Sequence, residues 1–273
     1  MRLDHLNMWE KYMDLQLKDK TALVFGAAGG LGSAMAKTLA SEGASVVVAD
    51  IDGEGADLVA ATIRAAGGQA MSLQWDLSDL ATIASKVEEI GSTFGHVDIL
   101  VNNTGGPPPT PVSGQPSDEW LKYFNMMVRS VIAVTDAVLP SMREREWGRI
   151  ITSTSSGVVA PIPNLGMSNS LRLALVGWSK TLAREVGRDG ITTNIVLPGR
   201  IGTGRINFLD EQKAKRENRP LQDVIQESIS TIPVGRYGDP QEYGDTVAFL
   251  ASPRASYITG SIIRVDGGLI SSI

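Results

Sequence analysis

Seven short, almost purely apolar runs constrain this chain more than any other feature. They are TALVF (21–25), SVVVA (45–49), AMSLQW (70–75), VDILV (97–101), RIITS (149–153), TTNIV (192–196) and SIIRV (261–265). A strand with one wet face alternates polar and apolar residues, whereas a strand covered on both faces does not need to. Between the runs, residues 30–43, 55–68, 79–94 and 168–187 carry apolar side chains at helical period. A longer helix is expected from Ser117 to Met142, with Ser117 as N-cap and Asp118 and Glu119 in the positive first turn. Strands that alternate with helices make βαβ units. The expectation is therefore a single α/β domain over 15–273, built on a seven-stranded, doubly wound parallel sheet with helices on both faces. A chain of 273 residues is long enough for one such core.

The first run passes into the first helix through VFGAAGGLGSA, with Gly26, Gly30 and Gly32 in the turn. Small residues there let the backbone come close to a bound group. The helix that follows offers free N–H groups and the positive end of its dipole, which together suit a pyrophosphate. Asp50 ends the second run, 20 residues after Gly30. A carboxylate at that place can accept both hydroxyls of an adenosine ribose and repels a 2′-phosphate. No arginine lies in the glycine turn or directly after Asp50, so NAD is favoured, with NADP the alternative. The turn and the acid together make the expected sheet a Rossmann fold.

Composition removes several classes. A net charge of −5 gives nothing to attract a phosphate backbone, so no nucleic-acid partner is expected. There is no cysteine, and the two histidines, His5 and His96, are too few and too far apart for a histidine metal site, so no metal is expected. No apolar run reaches the ~18 residues of a membrane span, and the charged N-terminus does not read as a secretory signal. A cytoplasmic protein is the expectation. Residues 1–14 read as an N-terminal extension, because MDLQLKDKTALVFG, from Met13, would itself be a natural beginning. Residues 202–235 are polar and charged, and are read as a lid insert over the strand C-termini. The Pro/Gly loop GGPPPTPVSGQP (105–116) reads as a stiff wall of the same cleft.

The spacing Gly26-x-x-x-Gly30-x-Gly32, Asp76-Leu77 after the third strand, NNTG (102–105) after the fourth, PGRIGT (198–203) after the sixth and the C-terminal ITGSIIRVDGG (258–268) resemble the short-chain dehydrogenase/reductase family. The similarity runs from about residue 15 to 270 and is nearest in kind to 3-oxoacyl-carrier-protein reductases and to glucose or hydroxy-acid dehydrogenases. It implies an NAD(P)-dependent oxidoreductase that moves a hydride between nicotinamide and a small alcohol or carbonyl substrate. It also implies cofactor contacts from Leu31 in the glycine turn, from Asp76 and Leu77 beside the adenine, and from Asn103 and Gly105 along the cleft. Pro198, Gly199 and Thr203 would lie on the nicotinamide side, with a backbone contact from Ile201. Phe25 departs from the family's usual threonine.

The family's catalytic set is an asparagine, a serine, a tyrosine and a lysine. Carried onto this sequence, the serine falls on Ser155, the tyrosine thirteen residues later on Ser168, and the lysine four further on Arg172. The asparagine falls on Met127. Asn125 is two residues away, which on an α-helix is a turn of about 200°. A serine alcohol is a far weaker acid than a phenol, a guanidinium does not hand on a proton, and a thioether does not orient a relay water. The resemblance therefore implies an atypical proton path. Ser155 and Ser168 are left as candidate hydrogen-bonding groups, and Arg172 as a ribose-binding candidate. Arg200 and Arg205 are candidates for binding an anionic substrate or, equally, surface charge. Two other readings stay open: an inactive NAD-binding sensor or partner subunit, and a non-redox enzyme on the same fold. The resemblance further implies a homodimer or homotetramer joined through the long helices, where 131–139 and 171–178 are apolar, and through the last strand edge.

Overall fold

The computed structural model describes residues 13–273. The part of the expected N-terminal extension before Met13 lies outside the described residues. From Leu15 onward the chain is tied down: Leu17 is fully buried, and the carbonyl of Asp14 accepts from Arg254 Nε.

The seven expected strands form one all-parallel sheet in the order β3-β2-β1-β4-β5-β6-β7. They are β1 (Thr21–Phe25), β2 (Ser45–Asp50), β3 (Gln69–Gln74), β4 (Ile99–Asn103), β5 (Gly148–Ser153), β6 (Ile191–Pro198) and β7 (Ile262–Val265). The chain winds outward from β1 to β3, then returns to place β4 against the other side of β1. That reversal opens a crevice beyond the C-terminal ends of β1 and β4, where open α/β sheets bind their ligands.

The strands are apolar throughout because both faces are covered. Ala22, Val24, Val46 and Val48 face one core with α1 (Gly30–Ser41), α2 (Gly53–Ala65) and α9 (Pro240–Ala251). Leu23, Phe25, Val47 and Ala49 face the other, with α3 (Ile83–Phe94), α5 (Ser130–Glu144) and α6 (Gly166–Val186). Phe25 packs edge-on against Trp75, with ring centroids 4.9 Å apart, so the departure at that position is filled by aromatic packing.

Several details differ from expectation. β4 starts two residues later and runs on to Asn103. Asp98, inside the expected VDILV run, precedes the strand and is buried at the foot of the sheet, where it accepts from Thr21 N and faces His96 and Arg145. The long helix is broken into α4 (Ser117–Phe124), a π-turn at Asn125–Arg129, and α5. Ser117 is not its N-cap: Pro116 holds that place and no side chain caps the end. The polar insert is two helices, α7 (Gly204–Glu217) and α8 (Leu221–Ser230). The seven-run pattern also passes over α9, although Asp239-Pro240-x-Glu242 carries a capping box and a proline at the first helical position, both visible in sequence.

Candidate active site

The glycine turn has the shape a bound dinucleotide needs. Gly26 and Gly30 have φ of +58° and +54°, conformations open to glycine at little cost. A β-carbon on Gly32 would lie 1.9 Å from the Gly26 carbonyl oxygen, so the first turn of α1 presses directly on the loop. Gly29 is the N-cap of α1, has no side chain to cap the helix, and faces open space. The uncapped amides of Gly30, Leu31 and Gly32 thus fit the phosphates of a dinucleotide.

The switch point is stitched across the sheet: Asn103 Nδ2 donates to the carbonyls of Phe25 (3.2 Å) and Gly26 (3.3 Å). Asp50 accepts from Ala28 N (2.9 Å) on one carboxylate oxygen and from Asp52 N (3.0 Å) on the other. These bonds aim the carboxylate along the loop and leave further lone pairs for a ribose diol. Asp76 is exposed and bonds its own Ser78, while Leu77 leans on the sheet core. Across the cleft, Gly199 donates to Val265 O, and a β-carbon on it would meet Asp266 Cα at 2.5 Å. The 200–202 strap pairs with Gly238, which turns the N–H and C=O of Ile201 to the opposite side. Thr203 lies near Gly30: a β-carbon there would be 3.7 Å from Thr203 Cβ. Pro198 ends β6. Gly105, beyond β4, is exposed and would meet nothing within 4 Å.

The four positions that the resemblance marks as catalytic are unequal. Met127 is fully buried in a cluster with Val131, Met167, Leu171 and Leu175, on the π-turn. Ser155 is partly exposed beyond β5, its backbone extended and its Oγ accepting from Gly157 N (3.1 Å). Ser168 and Arg172 are one turn apart on α6, both buried, with Arg172 Nε donating to Ser168 Oγ (3.3 Å). Arg172 Nη2 donates to the carbonyls of Thr104 and Gly105, each at 3.0 Å, and Nη1 to Ser153 O (3.4 Å). One Nη1 hydrogen remains. Desolvation lowers the Arg172 pKa to about 10, the nearby Arg205 charge pushing the same way, and the group stays cationic at neutral pH. Arg172 thus braces the β4 and β5 strand ends as well as lying where the family keeps its lysine.

Two side chains outside the expected set belong to this neighbourhood. Tyr243 of α9 is fully buried. Its hydroxyl donates to Val196 O (3.1 Å) and lies 2.8 Å from Ser153 Oγ, tying β6 to β5 just below the site. Burial raises its pKa, so it remains a neutral phenol. Asn169, next to Ser168, donates to Ile162 O and keeps a buried Oδ1 with no partner. Neither left a signal in the sequence: α9 mixes charged, polar and apolar residues, and Tyr243 is one of two aromatics in it.

Of the two candidate anion-binding arginines, Arg200 is withdrawn. Its Nη1 donates to the buried carboxylate of Asp210 (2.9 Å), which Tyr237 also bonds, so its charge is already neutralised inside the α7 contact. Among the described residues Arg205 has no such partner; its Nη2 donates to Pro107 O (2.9 Å), bringing the start of α7 across to the Pro/Gly loop. That loop is pinned to the start of α6 by Thr110 N bonding Asn164 O. Among the described residues, no group of three or more potential metal ligands is found, and no helix is long and apolar enough to cross a membrane.

Comparison with known proteins decides the family. The family described as enoyl-(acyl carrier protein) reductase matches residues 26–270, almost the whole chain. The 3-oxoacyl-[acyl-carrier-protein] reductase of Salmonella typhimurium is 38% identical over 258 residues, covering 93% of this chain and 99% of that protein.

The chain belongs to the short-chain dehydrogenase/reductase family.

It is thereby one of the NAD(P)-dependent oxidoreductases. Two solved members of the family show how closely the fold is shared. L-sorbose reductase from Gluconobacter frateurii, complexed with NADPH and L-sorbose, superposes with a TM-score of 0.90 at 29% identity, over 96% of this chain and all of that one. NAD+-bound xylitol dehydrogenase gives 0.86 at 29%, over 93% and 100%.

Proposed function

We propose that this short-chain dehydrogenase/reductase is NAD-dependent and exchanges hydride with a small alcohol or carbonyl compound, that Ser155 orients the reacting oxygen, and that no side-chain relay carries the proton. One observation carries the reading. Of the four catalytic positions, Ser155 alone keeps both its residue type and an accessible side chain, while Met127 is packed and Ser168 and Arg172 are bonded to each other and to the backbone.

The bound nicotinamide supplies or takes the hydride. The amides of Gly30, Leu31 and Gly32 hold the pyrophosphate and Asp50 the adenosine ribose, with Asp76 and Leu77 flanking the adenine. Asn103 and Gly105 line the cleft; Pro198, Gly199, Ile201 and Thr203 close it on the nicotinamide side. Arg172 offers its remaining Nη1 hydrogen to the adjoining ribose and, staying protonated at neutral pH, neither gives nor takes a proton. Ser155 donates a hydrogen bond to a carbonyl oxygen or accepts one from a hydroxyl, and the proton is traded with water. The α7–α8 pair acts as the lid, with Arg205 touching the opposite wall.

Asp50 favours NAD because a 2′-phosphate would lie against its carboxylate. Asp50→Ala should weaken NAD binding about tenfold or more, the scale of a lost charged hydrogen bond, and NADP binding less. Equal losses, measured by cofactor fluorescence titration, would remove Asp50 from ribose recognition. Ser155→Ala should lower turnover by roughly 10²-fold or more, as loss of a donor aimed at a reacting oxygen does. Ser168→Ala, whose hydroxyl faces Arg172, should cost far less. Steady-state rates with NAD and a panel of alcohols, sugars and oxo acids test this. The reverse order would transfer the role to Ser168, and tight cofactor binding without turnover of any compound would leave a nucleotide-holding scaffold.

We further propose a cytoplasmic homodimer or homotetramer with no nucleic-acid or membrane partner. Supporting this are the exposed Leu121 and Phe124 on α4, Leu173 on α6, and Ile262 on the edge strand β7.

A further inference from the structure

Arg172 and Arg205 approach the same glycine from two sides. A β-carbon on Gly106 would lie 3.4 Å from Arg172 Nη2, 3.9 Å from Ser168 Oγ and 4.0 Å from Arg205 Nη2. Among the described residues, neither guanidinium has a carboxylate within ion-pair distance. Other arginines near the lid do: Arg200 with Asp210, Arg219 with Glu217 and Glu227, and Arg236 with Glu242.

A cage of carbonyls alone does not make a site. Arg149, at the opposite end of β5, is also buried and bonded to the carbonyls of Gly148, Gly190 and Ser252. It shares the Trp147 ring with Lys20, and the ring's negative face stabilises both cations. The pair at Gly106 differs. Arg172 makes no cation–π contact among the described residues, and Arg205 lies over Phe208 at 5.6 Å from the ring centroid, farther than either cation lies from Trp147. The uncapped N-terminus of α7, at Thr203, adds partial positive charge from the same side. Two cations brought together without a counter-charge repel each other and cost desolvation, unless an anion completes the set.

We propose that the space between Arg172 and Arg205, over Gly106, seats a carboxylate carried by the substrate, so that the reacting compound is a small oxo acid or hydroxy acid rather than a neutral alcohol. This rests on the reading that the cleft is where a substrate reacts. Arg205 spends only Nη2 on Pro107 O, which leaves Nε and Nη1 free to grip both oxygens of a planar carboxylate. Arg172, whose hydrogens go to Ser168, the backbone carbonyls and the ribose, supplies charge alone. Burial lowers the proton affinity of both groups without removing either charge at neutral pH.

Calorimetric titration of the purified protein, with and without NAD+, tests the seat by binding rather than turnover. The probes are 2-oxobutyrate, its methyl ester and inorganic phosphate. The acid should bind about tenfold or more tightly than the ester. Arg205→Gln should erase that preference, and Arg205→Lys, which keeps the charge, should retain most of it. Equal affinity for acid and ester, no binding of either, or an unchanged preference in Arg205→Gln overturns the proposal. Phosphate binding more tightly than 2-oxobutyrate overturns the carboxylate assignment. A preference for the acid that vanishes in Arg205→Gln, combined with no turnover of any oxo or hydroxy acid, upholds the seat and defeats the proposed oxidoreductase function alone.

Discussion

Gly32→Ala is expected to cripple both stability and cofactor binding, whereas Gly29→Ala, three residues earlier, should affect chiefly binding. A β-carbon at position 32 would meet the Gly26 carbonyl oxygen at 1.9 Å. The clash is with backbone, so no rotamer change relieves it. Gly26 O also accepts from Asn103 Nδ2, so moving the loop breaks the stitch between β1 and β4. Forcing extra volume into packed structure costs ~1–3 kcal/mol, and in a domain of this size that lowers Tm by several degrees. Cofactor affinity should fall by more than tenfold, because the amides of α1 are displaced along with the turn. Gly29 differs physically: its φ of −167° is extended backbone that any residue adopts, and a β-carbon there meets nothing. On the proposed seating that carbon would enter the space of the pyrophosphate, so Gly29→Ala should bind the dinucleotide weakly and melt only about 1–3 °C below the parent, alanine being a poorer N-cap than glycine by about 0.5–1 kcal/mol. Thermal melts and cofactor titrations of the two variants decide it. If Gly32→Ala melts and binds like the parent, the loop does not have the geometry described.

The second large effect is a gain. Ser168→Tyr combined with Arg172→Lys should raise turnover by roughly 10²-fold, the lower end of what a positioned acid or base contributes. The pair places a phenol one helical turn from an ammonium, which lowers the phenol's pKa toward the working range. The gain stays at the lower end because Met127 is packed among apolar side chains and holds no relay water. Lysine has fewer donors than the arginine it replaces, so the carbonyls of Thr104, Gly105 and Ser153 lose part of their bracing, and a modest fall in Tm should accompany the gain. Ser168→Tyr alone should gain much less. With the substrate that the parent turns over best, the double variant should show a flatter rate profile toward neutral pH. A folded, cofactor-binding double variant with unchanged turnover would mean that proton transfer does not limit this enzyme.

Local chemistry made much of this legible. Both-face burial leaves a strand uniformly apolar, so each of the seven runs announced itself, and their alternation with helical segments implied the parallel sheet. The glycine turn and Asp50 were equally readable, since positive φ, close backbone approach and a strand-end carboxylate are properties of a few neighbouring residues. Where the reading failed, the cause lay beyond the local window. A π-turn at 125–129 changes the helical phase that an ideal α-helix assumes around Asn125 and Met127. Pro116, not Ser117, caps α4, because a capping signature shows only that a helix begins nearby. Arg200 and Arg205 are five residues apart in one polar stretch and looked alike, yet one faces the buried Asp210 and the other the Pro107 carbonyl.

From the order of its residues alone, this protein is a doubly wound α/β domain with a dinucleotide cradle and an altered set of catalytic positions. Those properties follow from hydrophobic period, from glycine's backbone freedom and from residue type at a given spacing, all carried within short segments. Only the folded chain decided what the altered positions do. Arg172 spends its donors on the carbonyls of Thr104 and Gly105, almost seventy positions earlier, and the Tyr243 hydroxyl reaches Ser153 across the sheet. Arg205 lies over Gly106 beside Arg172, and among the described residues neither cation has a carboxylate partner. Hydrogen-bond partners and charge neutralisation depend on distances between residues remote in sequence, which exist only once the sheet and the α7–α8 pair have packed.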